Sequence, residues 1–143
     1  MAEEFFGSWN WVSNTDSFDD YLKEIGINIV LRKLSKLASP TLTFSKKEGD
    51  DETWIMRTET VVKSISVDFK LDEEFKETTI DGRLVHSTFT LVREGTSSSL
   101  ILRQKSVDKD GKISIIDRSI DGDIMKVGMN VNHVKASAIF KRK

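Results

Sequence analysis

From residue 41 to the C-terminus the chain is a succession of short segments in which apolar and polar residues alternate, each followed by a turn signal. In "ISVDFKL", Ile65, Val67, Phe69 and Leu71 share one face, while Ser66, Asp68 and Lys70 share the other. That period of two is the mark of a half-buried strand. The pattern predicts strands at 41–46, 53–60, 65–71, 75–80, 84–92, 100–106, 112–120, 124–131 and 134–141, with one more at 5–13. Asp-Gly pairs at 81–82, 110–111 and 121–122 lie between alternating runs and read as hairpin turns. "KEGDDE" and "REGTSSS" separate further strands in the same way. Ten sequential antiparallel strands leave two raw edges if the sheet stays open, and closure removes them. The expected fold class is all-β, a ten-stranded antiparallel up-and-down β-barrel.

Residues 16–38 break this rhythm. Phe18, Tyr21, Leu22 and Ile25 recur at helical spacing after Asp16 or Ser17, either of which is a suitable N-cap, and Gly26 ends the run. "INIVLRKLSKLA" then places Ile27, Val30, Leu31, Leu34 and Ala38 on one stripe, and Pro40 stops it. Two short helices in series cannot cross a barrel this small, so they are expected to cover one open end as a lid. The chain shows no internal repeat, linker or low-complexity tract, and 143 residues are read as a single domain over 1–143. A domain of that size buries roughly 70% of the surface of its unfolded chain, ample for a core without staples.

Composition excludes several classes of function. There is no cysteine, hence no disulfide and no thiolate metal site, which fits a reducing compartment. The start lacks the basic stretch and apolar run of a signal peptide, and no segment approaches the ~18 apolar residues of a membrane-spanning helix. With 22 basic and 23 acidic side chains the net charge is −1, so no global field favours nucleic acid. The two histidines, His86 and His133, are separated in sequence, and no G-x-S-x-G, Cys–His or H-E-x-x-H arrangement occurs. "DKDG" at 108–111 lacks the further acidic ligands of a calcium loop and reads as a hairpin turn. The expectation is a cytoplasmic monomer that is not an enzyme and holds no metal or cofactor.

Several stretches carry a resemblance. "FFGSWNWVSNTDSFDDYLKEIGI" contains Gly7-x-Trp9 and Phe18-Asp19-x-Tyr21; "RKLSKLASPTLTF", "VDFKLDEEFKETTIDGR", "LILRQK" and "IIDRSIDGDIMK" follow at matching positions. With these the chain resembles, over essentially its whole length, the intracellular lipid-binding proteins, the family of fatty-acid-binding and cellular retinoid-binding proteins. Its tail looks most like the flatworm members. The resemblance implies a ten-stranded clam-like barrel with a helix-turn-helix lid, in agreement with the strand count. It also implies intracellular binding and transport of long-chain fatty acids or similar hydrophobic ligands in an internal cavity. The alternatives are another apolar ligand, such as a retinoid or a bulkier lipid, and a protein-interaction barrel whose cavity holds only water.

Members of that family hold a carboxylate through one or two arginines and a tyrosine. By motif, Arg118 in "IIDRSIDG" matches the first arginine. Ser114, Ile116, Arg118 and Ile120 alternate with Ile113, Ile115, Asp117 and Ser119; both faces are mixed, so the period leaves the direction of Arg118 open, and the resemblance turns it inward. Gln104 shares a face with Leu100 and Leu102, as a polar anchor in a greasy pocket or as a structural amide. The last strand departs from the family pattern of Arg-x-Tyr. Ala138 and Phe140 stand at those positions, so Asp81, which matches a family acid near that arginine, loses its expected partner. The carboxylate is then held by Arg118 with Gln104 or water, or the head group sits near the lid, or the ligand is not a simple fatty acid. By the same matching, Phe18, Tyr21, Leu22, Ile25, Leu31, Pro40, Thr58, Val62 and Ile80 line the cavity or its portal. Val62 stands where many members carry phenylalanine. Met125, Val127 and Met129 form the inward face of the ninth strand, while Trp9 and Phe6 read as core. Lys23, Arg32, Lys33 and Lys36 read, taken alone, as a solvated helix face; the resemblance adds transient contact with anionic membranes.

Overall fold

Pairing follows chain order almost without exception. The computed structural model describes residues 2–93 and 99–143. Its strands are β1 (Gly7–Asn14), β2 (Thr41–Lys47), β3 (Asp50–Glu59), β4 (Ser64–Lys70), β5 (Phe75–Thr78), β6 (Leu84–Arg93), β7 (Leu100–Asp108), β8 (Ile113–Asp121), β9 (Ile124–Val131) and β10 (Val134–Arg142). They form one antiparallel sheet of ten strands in the order β4-β3-β2-β1-β10-β9-β8-β7-β6-β5. The first and last strands therefore lie side by side, and β4 and β5 are the two edges. In the Asp-Gly turn between β8 and β9, Gly122 takes φ 61, the left-handed region that glycine enters without strain. The turn expected at "REGTSSS" falls largely on residues 94–98, outside the described residues.

The edges meet without a ladder of backbone pairs between β4 and β5. Phe69 of β4 stacks on Phe89 of β6 with ring centroids 3.9 Å apart, and Phe75 of β5 stacks on both at 6.1 Å. The Asp72 N–H donates to the Phe89 carbonyl at 2.8 Å across the same seam. Rings seal what ladder hydrogen bonds do not, and the sheet becomes a nearly closed barrel. Trp54, Phe44 and Phe6 extend the aromatic packing around one end. Trp9, fully buried there, donates from its indole nitrogen to the Phe5 carbonyl at 3.0 Å. The Arg142 guanidinium covers its ring at 4.1 Å and donates to the carbonyls of Phe6 and Glu4. Trp9 is core, as the sequence predicts, and Phe6 packs at its margin.

The lid is α1 (Phe18–Glu24) and α2 (Ile29–Ser35). Ser17 occupies the N-cap position of α1, but its hydroxyl bonds to that of Thr15 instead of capping the helix. Gly26 closes α1 at φ 95, with its N–H on the Lys23 carbonyl and the Ile27 N–H on the Leu22 carbonyl, the paired bonds of a glycine-terminated helix. Asn28 then caps α2, accepting from the Leu31 N–H at 3.0 Å, a role the sequence reading did not assign. The barrel holds α1 directly. Tyr21 shares a hydroxyl hydrogen bond with Ser114, the Lys112 ammonium donates to the Glu24 carbonyl at 2.6 Å, and the Asn132 amide donates to the Glu24 carboxylate at 2.7 Å. By contrast, α2 is tied to α1, through Arg32 on Asp19 at 3.2 Å and on the Ile27 carbonyl at 2.7 Å. No residue of α2 is buried, and Val30 of the expected apolar stripe points to solvent.

The seam makes the packed end sensitive to a single ring. Phe89→Ala removes the centre of the stack at a fully buried position, and is expected to cost about 3–5 kcal/mol. Equilibrium urea unfolding measures it; a loss below about 1 kcal/mol shows that the seam does not depend on this ring.

Candidate functional site

Away from the aromatic end the barrel is hollow. A cavity of about 650 Å³ lies beneath the lid, within the size range of small-molecule sites. Phe18, Leu22, Ile27, Leu31, Leu34 and Ala38 form its lid side. The barrel supplies Trp11, Leu42, Thr58, Ile116, Val127, Met129, Ala138 and Phe140, with Arg118 the buried charge among them. A register shift between Trp11 and Ser13 in β1 changes the strand's parity, so that Trp11 and Asn14 both face the cavity. Pro40, Val62, Lys63, Ile80 and Asp81 ring the opening, and Val62 is 73% exposed there.

Arg118 faces inward because its cross-strand neighbours do. It lies opposite Leu102 on β7 and Val127 on β9, both buried. Only 6% of Arg118 is exposed. One terminal nitrogen donates to the Gln104 side-chain oxygen at 2.8 Å, and the guanidinium carbon stands 5.8 Å from the Phe44 ring centroid. Its Nε–H is buried and finds no acceptor among the described residues. Gln104 turns its amide nitrogen toward the Glu77 carboxylate at 3.4 Å, so Arg118, Gln104 and Glu77 form one chain of polar contacts. Glu77 is itself buried, 7% exposed. Burial lowers the Arg118 pKa to about 10, with the Glu77 charge opposing the fall. Because that value lies below the unfolded one yet above neutrality, the guanidinium is charged at pH 7 and its desolvation opposes folding there. The opposition fades as pH rises through about 10.

A second recess of about 70 Å³ lies beside the first and takes Tyr21, Ile25, Gln104 and Ser114 into its lining. Tyr21 and Ile25 therefore face this recess and not the main cavity where the resemblance places them, because Tyr21 reaches across to Ser114 on β8. Burial raises the Tyr21 pKa. Ile116 lines both spaces, and Gln104 connects them to Arg118.

Two further expectations are corrected. Met125 does not line the cavity; it is fully buried in the packed cluster, at the row it shares with Phe140 and Ile120 where the hollow part of the barrel ends. Asp81 is not left without a partner. Arg83, two residues on, donates to it at 2.7 Å, as does the Thr79 hydroxyl at 2.7 Å. Phe18, Leu22, Leu31, Pro40, Thr58, Val62, Ile80, Val127, Met129 and Phe140 all lie on the cavity wall or rim. Of the lid's basic residues, Arg32 is turned inward onto Asp19, Lys36 stands at the rim, and Lys23 and Lys33 are exposed. The sequence reading missed Glu77, Phe44, Trp11, Asn14 and Ser114. Glu77 was within reach, since it alternates with Phe75 and Thr79 in "FKETT" and a strand face is shared at that spacing.

The model for the lipocalin / cytosolic fatty-acid binding protein family matches residues 7–135. The chain is 37% identical over 142 residues to human fatty acid-binding protein 9, covering 99% of each sequence. Among solved structures it is similar to Echinococcus granulosus fatty-acid-binding protein 1, with a TM-score of 0.86, 30% identity and 98% of each chain covered. It is also similar to a Schistosoma mansoni fatty acid binding protein in complex with arachidonic acid, with a TM-score of 0.83, 32% identity, and 98% of this chain and 96% of that one covered.

The polar chain inside the barrel is open to a double-mutant cycle. Arg118→Met alone strands the Glu77 charge and is expected to cost about 3 kcal/mol, of which adding Glu77→Gln recovers part. Urea unfolding of the two single variants and the double should give a coupling of about 1 kcal/mol or more; additive losses deny the connection.

Proposed function

The chain belongs to the lipocalin / cytosolic fatty-acid binding protein family, and on that premise we propose that it binds long-chain fatty acids or similar hydrophobic ligands in the cavity beneath α1 and α2 and carries them through the cytoplasm as a monomer. The observation that carries this reading is the pairing of a large apolar hollow with one buried guanidinium in its wall among the described residues. A carboxylate is a natural partner for such a group, because charge-assisted bonds to a planar fork are short and strong. In the proposed pose the acid meets Arg118, with Gln104 holding the guanidinium in place. The tail runs past Val127, Met129 and Phe140 toward Phe18, Leu31 and Thr58 near the opening. The role is that of a carrier and not of a catalyst.

Magnitudes say which contact does what. About a dozen methylenes leaving water at ~0.8 kcal/mol each supply roughly 10 kcal/mol before the costs of association. One head-group contact to a charged donor supplies about 1.5–3 kcal/mol. The tail therefore sets affinity, and the head sets orientation and selectivity. Phe140 and Ala138 favour the tail along a stretch of wall that offers the head nothing polar.

Delivery follows from what the lid leaves uncovered. Ile29, Val30 and Leu37 are exposed around α2 beside Lys33 and Lys36, and Val61, Val62 and Lys63 stand across the opening. An apolar patch edged with ammonium groups at the mouth of the cavity suits brief contact with an anionic membrane surface.

Two measurements test these readings. A fluorescent fatty-acid analogue should bind saturably and be displaced by long-chain acids; no saturable binding sinks the carrier proposal. Arg118→Ala is expected to weaken acids roughly 10- to 100-fold and the matching alcohols less, since a charged contact is lost and Glu77 is left unbalanced. For delivery, the rate of ligand transfer to vesicles should rise with anionic lipid content and fall with added salt, and Lys33→Glu with Lys36→Glu should slow it. A rate indifferent to lipid charge removes the membrane step.

A further inference from the structure

Among the described residues lining the main cavity, Arg118 is the one buried cation. Lys36 and Lys63 are exposed at the rim, and Asp81 is paired with Arg83. Asp117, the chain neighbour of Arg118, is on the other face of β8, where Arg103 holds it with two hydrogen bonds of 2.8 and 2.9 Å. The charge that faces Arg118 inside the barrel is Glu77, reached through Gln104 at 2.8 and 3.4 Å. Before any ligand enters, the inner cluster thus holds one positive and one negative group. A carboxylate brings a second anion to a single guanidinium in a space walled mostly by apolar side chains. Excess buried charge of one sign is costly there. A hydroxyl, an ester carbonyl or an amide oxygen accepts from the same donors and leaves the count unchanged. The buried Nε–H of Arg118 lacks an acceptor among the described residues and is satisfied by an oxygen, charged or not. On β10, two strands along the sheet from Arg118, Ala138 and Phe140 line the cavity without a donor and add nothing that favours an anion.

We propose that Glu77 is a selectivity-determining residue: by balancing Arg118 internally, it makes the cavity bind long-chain lipids with an uncharged, oxygen-bearing head (alcohol, ester or amide) at least as tightly as the corresponding carboxylates. This rests on the carrier reading above and narrows its ligand class. Glu77 is not required to touch the ligand; it acts through the charge state of the cluster that does.

Competition against one fluorescent fatty-acid analogue at neutral pH, with hexadecanoic acid and 1-hexadecanol as competitors, tests the proposal. In the wild-type protein the alcohol should displace the probe at the same or a lower concentration than the acid. Glu77→Gln removes the built-in anion at constant size and is expected to shift the ratio about tenfold toward the acid. Ala138→Arg, which adds a cation to the wall instead, should shift it the same way. Near-ultraviolet circular dichroism checks that each variant folds, and Ala138→Arg decides alone if Glu77→Gln does not. The proposal is overturned if the wild-type protein prefers the acid, or if a folded variant keeps the wild-type ratio. Failure of both competitors to displace the probe is a different result, one that removes the carrier reading itself.

Discussion

A sheet of ten strands has two edges, and the packing of Phe69, Phe75 and Phe89 is what brings them together. Backbone pairing cannot do it, because β4 and β5 are joined to the sheet on one side only. Rings can. They bury a large apolar area without needing strand register, and they stack on Trp54, which is itself packed against Phe44 and Phe6. Closing the barrel by side chains at one end has a consequence at the other. Most of the buried aromatic rings pack at that end, while Thr58, Val127, Met129 and Ala138 are among the inward positions nearer the lid, and the walls there do not meet across the barrel. The hollow is a property of how side-chain volume is distributed along strands of similar pairing.

The lid shows a comparable asymmetry. The strands grip α1 through Tyr21, Lys112 and Asn132, whereas α2 hangs from α1 by Arg32. Its apolar residues face the cavity or the solvent and bury little. A helix of this kind is stabilised mainly by its cap and its neighbour, so it belongs to the low-stability end of the molecule. In the proposed carrier the opening between α2 and the turn bearing Val62 is the ligand's entrance, and an entrance needs such an element.

Most of the fold was readable because alternation, Asp-Gly turns and the Gly26 helix stop are local signals, and here local and global preferences agree. The site was less readable, for a reason specific to strands. Period two tells which residues share a face but not which face is inside, and on β8 both faces were mixed. Register resolved it: Arg118 stands between Leu102 and Val127, and that juxtaposition belongs to three strands at once. Met125 failed in the opposite way. Its face was right, but depth along the barrel decides between cavity wall and packed core, and depth has no period. Arg83 stands only two residues from Asp81, and so near a cation takes the place of a partner on a distant strand. Glu77 is less legible, because an acid in a strand reads as solvent-facing even though it shares a face with Phe75.

Arg118 and Glu77 are also where the chain holds groups that its own stability does not favour. A guanidinium with a buried, unsatisfied Nε–H and a desolvated charge contributes less to the folded state than a well-packed apolar side chain of similar volume. Glu77 offsets part of that penalty, and Gln104 transmits the offset by accepting from one group and donating to the other. Remove the acid and the cation is left needing an anion; keep it and the cation needs only an acceptor. The degree to which a barrel compensates its buried charge from within therefore sets how much charge it asks of the molecule it carries. In this chain the balance is drawn close to neutral.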